Sequence, residues 1–186
     1  MATRSRKGLL AALRLANEIL RDAGVPHALL GGIAANLYRK EPRATQDVDF
    51  AVRADRAATE RLLAAFESAG WKPVTRWDKH ESIRLSAPDL PRVDLLLTGT
   101  PFEESALARA AELTIDGVEM RIVRPEDLVV YKLIAGRPHD YEAVGAILHA
   151  LGTIDEAYVV GWLEQFGLAE RWAPALAEAR RIAEDD

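Results

Sequence analysis

An amphipathic helical pattern opens the chain and is followed by short apolar runs. Leu9, Leu13, Ala16 and Leu20 recur every three or four residues, which predicts a helix with one apolar face. The apolar run 27–30 ends at two glycines, so it predicts a buried strand that enters a tight turn. Apolar and polar positions alternate from residue 46 to 52. This period of two predicts a strand with one apolar and one acidic face.

Similar patterns predict the remaining elements. Asp55 is the expected cap of a helix that ends near Ser68, and Asp116-Gly117 predicts the turn of a hairpin. From Pro125 onward the apolar period becomes helical. Further strands are predicted at 74–77, 82–85, 92–97, 113–115 and 118–123, and further helices at 33–38, 101–112 and 125–136, with two or three more between 140 and 185.

The order of these elements is a helix, a mixed set of strands and helices, and a helical tail. It predicts an α+β fold, in which helices flank a mixed β-sheet and a helical bundle forms the C-terminal part. We expect residues 1–123 to form the core and residues 124–186 to form a helical region packed on it. A length of 186 residues agrees with one domain and a small extension.

Composition excludes several classes of function. The chain has no cysteine, which rules out disulfides, thiolate metal sites and a cysteine nucleophile. No apolar run approaches the roughly 20 residues that span a bilayer, and the apolar stretch near the start is interrupted by polar residues. We therefore expect a cytoplasmic protein without a membrane partner. The net charge of -5 means that any contact with RNA must use a local basic patch.

Three aspartates stand out against this apolar background. Asp47 and Asp49 are two residues apart on one predicted strand, so their carboxylates share a face. Asp94 interrupts the very apolar strand 92–97, where a carboxylate needs a partner. Hard oxygen ligands of this kind suit Mg²⁺ or Mn²⁺. The alternative is that Asp47 and Asp49 form a solvated strand edge. The upstream glycines and the separation of apolar and acidic faces argue against it.

These features resemble the nucleotidyltransferase superfamily that includes DNA polymerase beta. The matching elements are Gly31-Gly32, the segment 43–49 with its two aspartates, and a later apolar strand that carries Asp94. A second block, residues 124–141, is similar to the small bacterial AbiEii-type branch, which contains toxins of toxin–antitoxin and abortive-infection systems. Many members of the superfamily have Gly-Ser where this chain has Gly31-Gly32, so only backbone N–H groups are available at this turn.

The resemblance implies a nucleotidyltransferase fold and transfer of a nucleotide from a nucleoside triphosphate to an acceptor. The acceptor would be the end of an RNA such as transfer RNA, a protein hydroxyl or a small molecule, and an antitoxin is an implied partner. Asp47, Asp49 and Asp94 would bind Mg²⁺ or Mn²⁺, with Asp94 also able to take the acceptor proton. The implied nucleotide-binding residues are Gly31, Gly32, Lys132, Arg137 and Asp140.

Three alternatives stay open at this point. The chain could be a catalytically inactive member of the fold that binds nucleotide or a partner protein. Lys132 could equally be a solvated lysine, with Arg137 paired to Asp140 at the start of the next helix. Arg43 and Thr45 could contact nucleotide or tether the loop before the acidic strand. No Walker A or dinucleotide-binding glycine pattern is present.

Overall fold

The computed structural model describes residues 2–74 and 82–186. By its internal contacts the described chain forms two units. The first comprises the described residues of 1–33 and 44–123, and the second comprises residues 34–43 and 124–186. The short segment 34–43 therefore groups with the helical C-terminal region, although it lies within the first third of the chain.

A mixed sheet organises the first unit. In the described residues it has seven strands in the order β3-β4-β5-β2-β1-β7-β6. The pairs β2/β5 and β1/β7 are parallel, and the other neighbours are antiparallel. The strands are β1 His27–Leu30, β2 Asp47–Val52, β3 Lys72–Pro73, β4 Ser82–Ser86, β5 Arg92–Leu97, β6 Ala111–Ile115 and β7 Val118–Ile122. The strand predicted at 74–77 lies almost wholly outside the described residues.

Helices precede or connect these strands. They are α1 Ala2–Asp22, α2 Gly31–Leu37, α3 Arg56–Ser68 and α4 Pro101–Arg109. Asp55 caps α3 as predicted, since its carboxylate accepts a hydrogen bond from the Ala58 N–H at 2.7 Å. Helix α4 ends earlier than the predicted residue 112. The reason is that Ala111 already pairs with Ile122 across the β6/β7 hairpin.

The second unit is helical, as predicted for the C-terminal part. Its helices are α5 Pro125–Ala135, α6 Pro138–Leu151, α7 Glu156–Gln165 and α8 Trp172–Asp185. Helix α5 packs against α6 and α7, and α6 packs against α8. Gly136 ends α5 in the left-handed conformation with φ 63°, and Pro138 then starts α6. No helix of the described residues is long and apolar enough to cross a membrane.

The two faces of β2 differ in the way the sequence predicts. Val48, Phe50 and Val52 are fully buried, and α1, which packs against α3, also contacts this strand. Asp47 and Asp49 project from the opposite face and are partly exposed. The apolar face therefore fixes the strand in the core, and the acidic face is left available for chemistry.

Candidate active site

The three aspartates lie on one face of the sheet. Strands β2 and β5 run parallel in a register that places Asp49 opposite Asp94 and Asp47 opposite Arg92. Residues that face each other across paired strands project to the same side, and so do residues two apart on one strand. The fold thus brings Asp47, Asp49 and Asp94 together from two segments that are distant in the sequence.

The two glycines that begin α2, directly after β1, lie against this acidic face. Gly31 has φ 70°, a left-handed conformation that favours glycine. A Cβ atom at this position would overlap the carboxylate of Asp49, so no side chain fits there. At Gly32 a Cβ atom would lie 2.7 Å from Thr45 Oγ1. A side chain at either position would therefore displace Asp49 or Thr45.

Two arginines that sequence analysis did not identify hold two of the carboxylates. Arg92 donates from Nε and Nη2 to the two oxygens of Asp47, at 2.9 and 2.7 Å. Arg84 on β4 lies opposite Asp94 and donates in the same way, with Nε–Oδ1 and Nη2–Oδ2 distances of 3.0 Å. These are bidentate pairs, the geometry in which a guanidinium binds a carboxylate best.

The arginines reduce the negative charge of the acidic face. The hydrogen bond to Asp94, and then its charge, raise the pKa of Arg84, and Asp47 raises the pKa of Arg92 in the same way. A signal for Arg92 was present in the sequence, since it stands two residues before Asp94 and therefore shares its face. The signal for Arg84 was weaker, because strand pairing alone places it opposite Asp94.

The chemistry of this donor set fits a divalent cation. Three carboxylates on neighbouring strands supply the hard oxygen ligands that Mg²⁺ and Mn²⁺ prefer. The side chains of Asp47 and Asp94 are 29% and 21% exposed, so their oxygens are within reach of solvent ions. In the described chain, however, no three acidic or histidine side chains are close enough to form a metal site. The arginine pairs described above occupy the oxygens of two of the three aspartates.

The other predicted nucleotide-binding residues form an ion cluster in the second unit. Asp140 is 1% exposed and accepts hydrogen bonds from Arg137 Nε at 2.7 Å and Lys132 Nζ at 3.4 Å. Burial lowers the pKa of Lys132, whereas Asp140 opposes that shift. Burial alone would raise the pKa of Asp140, but Arg137 and Lys132 outweigh it and the pKa falls below its ordinary value. The structure thus shows the pairing of Arg137 with Asp140 that the alternative predicted, but Lys132 is only 12% exposed and is not a solvated lysine. Nucleotide binding by these residues stays a prediction.

Arg43 and Thr45, in the loop before β2, both make contacts that hold this loop in place. The backbone of Arg43 exchanges two hydrogen bonds with the side chain of Asn36, at 2.7 and 2.9 Å, and its guanidinium pairs with Glu142 at 2.9 Å. The Thr45 hydroxyl lies beside Gly32 and 3.5 Å from the Asp47 carbonyl oxygen. These contacts fit the tethering role that sequence analysis considered for Arg43 and Thr45.

His27 belongs to the opposite side of the sheet. Its ring contacts Phe50 with centroids 5.8 Å apart, and its nitrogens lie 2.9 Å from the Val25 carbonyl oxygen and 3.2 Å from Asn17 Oδ1. A cavity of about 620 Å³ adjoins it and is lined partly by Asn17 and Arg121. This cavity contains none of the three aspartates, so we do not assign the chemistry to it.

Burial gives His27 a testable effect on stability. Burial first, and then Arg121 and Arg21, lower its pKa below the ordinary value of 6.5. The unfolded state then binds more protons than the folded state. The stability that neutral His27 contributes is therefore complete above pH 6.5 and is lost as the pH falls through the folded-state pKa. We expect the unfolding free energy of wild type to decrease between about pH 7.5 and 5.5 more steeply than that of His27→Gln. The excess slope is at most about 1.4 kcal/mol per pH unit. Parallel slopes in urea denaturation would contradict it.

A mixed sheet with an acidic face at a glycine turn, followed by a helical unit, defines the nucleotidyltransferase class of fold. The family comparison agrees with this class. The sequence model of the family described as nucleotidyl transferase of unknown function (DUF2204) matches residues 9–166, and the chain belongs to that family. Membership of the AbiEii-type branch stays a prediction. No curated protein sequence matches the chain significantly.

Solved structures of the same fold are similar at low sequence identity. The solution structure of the antibiotic-resistance factor ANT(2″)-Ia has a TM-score of 0.63 and 16% identity, over 88% of this chain and 96% of that one. An antigenic nucleotidyltransferase-like protein from Paracoccidioides brasiliensis has a TM-score of 0.56 and 19% identity, over 97% and 91% of the two chains. The lincosamide antibiotic adenylyltransferase LnuA with lincomycin has a TM-score of 0.55 and 15% identity, over 70% and 90%. At these identities the similarity establishes the fold.

Proposed function

We propose that this chain is a metal-dependent enzyme that transfers a nucleotide from a nucleoside triphosphate to an acceptor hydroxyl. One observation carries the proposal. The register of β2 and β5 sets Asp49 opposite Asp94, and Asp47 lies on the same face. These three carboxylates lie on the sheet face opposite the buried side chains of Val48 and Phe50 on β2. They provide what phosphoryl chemistry requires, which is a site for divalent cations next to backbone that a phosphate can approach.

Each candidate site residue of the first unit has a distinct role in the proposed reaction. Asp47, Asp49 and Asp94 would hold Mg²⁺ or Mn²⁺, whose chemistry is to polarise the α-phosphate and neutralise charge. The acceptor oxygen forms a bond to the α-phosphorus, the bond from that phosphorus to pyrophosphate breaks, and Asp94 takes the acceptor proton. Gly31 and Gly32 would offer backbone N–H groups to the phosphates.

The resemblance supports a part for the second unit as well. The resemblance implies that the positive charges of Lys132 and Arg137 would bind the negatively charged triphosphate. A guanidinium suits phosphate oxygens because its planar group can donate two parallel hydrogen bonds. Asp140 then orients both cations, in agreement with its hydrogen bonds to them. The buried position of Asp140 suits an orienting group better than a direct ligand of the nucleotide.

A small molecule with a hydroxyl group is the acceptor class that we propose first. Two proteins of the same fold are named as an antibiotic adenylyltransferase, bound to lincomycin, and as an antibiotic-resistance factor. The net charge of -5 is also unfavourable for a large nucleic-acid interface. An RNA or protein acceptor, a toxin role and an antitoxin partner stay predictions of the AbiEii-type resemblance. The alternative is an inactive protein that only binds nucleotide or a partner.

Metal-dependent binding of nucleotide tests the proposal. Three carboxylates repel a triphosphate unless a divalent cation lies between them. We expect calorimetry to show at least about tenfold tighter binding of ATP, or of another nucleoside triphosphate, with Mg²⁺ than with a chelator. The next step is incubation with each α-labelled triphosphate, Mg²⁺ and either lincomycin, an aminoglycoside or total RNA. Equal affinity with and without chelator, and no labelled product, would favour the inactive alternative.

A further inference from the structure

Two guanidinium groups occupy the carboxylates of the acidic face. Arg92 and Asp47 face each other across β5 and β2, and Arg84 and Asp94 face each other across β4 and β5. Both pairs are bidentate, and their donor–acceptor distances lie between 2.7 and 3.3 Å. The carboxylate oxygens that would bind a cation are therefore already engaged as hydrogen-bond acceptors.

The arginines of both ion pairs lie close to solvent, where a cation could replace them at the carboxylates. The side chains of Arg84 and Arg92 are 47% and 45% exposed, so each guanidinium reaches solvent without disturbing the core. Exposed ion pairs contribute little to folding stability. A divalent cation carries twice the charge of one guanidinium, and it binds carboxylate oxygens at shorter range. Loss of the arginine pairs is thus a small cost when a cation is bound.

We propose that Arg84 and Arg92 are exchangeable counter-ions of the acidic face. This inference rests on the proposed function. Without a divalent cation they pair with Asp47 and Asp94 and keep these carboxylates turned toward β5 and β4. When a cation binds, both arginines release their carboxylates and turn to solvent or substrate. The arginines therefore act as positioning residues that set the affinity of the free protein for the cation.

The exchange predicts how metal affinity responds to substitution. Binding of Mn²⁺ to the full chain, measured by electron paramagnetic resonance without nucleotide, is expected to be about tenfold tighter in Arg84→Gln and in Arg92→Gln than in wild type. Each change removes a competing positive charge and leaves all three aspartates unsubstituted. Arg56→Gln is the matched control, because Arg56 pairs with Glu60 on α3 at 3.2 Å and is exposed. It is expected to change Mn²⁺ affinity less than twofold.

A second measurement follows the arginines themselves in wild-type protein. The Nε–H signals of Arg84 and Arg92 in a ¹H–¹⁵N spectrum, assigned from the two glutamine variants, are expected to move on addition of Mg²⁺. The Arg56 signal is expected to stay in place. This readout does not depend on enzymatic activity.

The outcomes separate the inference from the proposed function. Suppose that wild type, Arg84→Gln and Arg92→Gln bind Mn²⁺ equally, that the arginine signals do not move, and that Asp49→Asn still abolishes binding. The exchange would then be overturned while the metal site stands. If instead Mn²⁺ does not bind, or if Asp49→Asn leaves its binding unchanged, the metal site itself is overturned. The exchange is then overturned with it.

Discussion

Replacement of Asp49 by asparagine is expected to abolish nucleotidyl transfer and to leave the fold intact. Asparagine has nearly the same size and shape as aspartate, so the packing of residue 49 against Gly31 is retained. The change removes one negative ligand from the acidic face. Metal chemistry supplies several kcal/mol of transition-state stabilisation, and a loss of about 4 kcal/mol is about a thousandfold in rate. The measurement is turnover of labelled triphosphate, together with a thermal melt.

Asp116→Asn is the matched control for this prediction. Asp116 is exposed at the tip of the β6/β7 hairpin with φ 47°, a conformation that asparagine tolerates well. The same chemical change is therefore made in the same unit, away from the acidic face. We expect both the activity and the melting temperature of this control to match wild type. Unchanged turnover in Asp49→Asn would mean that the cation is held by other residues.

Replacement of Asp140 by asparagine is expected to destabilise the protein by about 3 kcal/mol. Removal of one partner of a buried ion pair costs about 3–5 kcal/mol, because the remaining charge is buried without compensation. Lys132 is that remaining charge, since its side chain is only 12% exposed and Asp140 is its ion-pair partner in the described chain. We place the loss at the lower end of the range because Arg137 is largely in solvent. Urea denaturation without nucleotide measures the effect.

Two further variants show whether the loss of stability in Asp140→Asn comes from the buried ion pair. Asp185→Asn breaks an exposed pair with Arg181 and is expected to cost no more than about 1 kcal/mol. In a Lys132→Met and Asp140→Asn double variant the uncompensated lysine is gone, so part of the stability is expected to return. A loss under about 1 kcal/mol for Asp140→Asn would mean that the cluster is not structural. It would leave nucleotide binding as the reason for its presence.

The fold was largely predictable because its local signals agree with one another. The alternation of Val48 and Phe50 with the aspartates fixes both the existence of β2 and the direction of its two faces. Asp55 marks the start of α3, and Pro125 and Gly136 mark the ends of α5. The beginning of β6 was missed because residues 111–112 also fit the helical period. Only their pairing with β7 decides in favour of a strand.

The candidate site was predictable only in part, for a related reason. Sequence periodicity tells which residues share a face of one strand, and that was sufficient for Asp47 and Asp49. It does not tell which strand is the neighbour or in what register, so it could not place Arg84 opposite Asp94. Likewise, the pairing of Arg137 with Asp140 depends on the break at Gly136 and the new helix at Pro138. The sequence allowed that pairing but did not select it.

The parallel pairing of β2 with β5 also determines when the acidic face can form during folding. Asp47 and Arg92, which face each other there, are 45 residues apart in the chain. The loop-closure entropy of such a long segment must be overcome before the pair contributes any contacts, which makes non-local pairings late and slow events. A nascent chain that has emerged only as far as β4 carries Asp47 and Asp49 but has no third carboxylate. The full set of three aspartates therefore arises only after β5 has paired with β2, and it is lost again whenever β5 detaches.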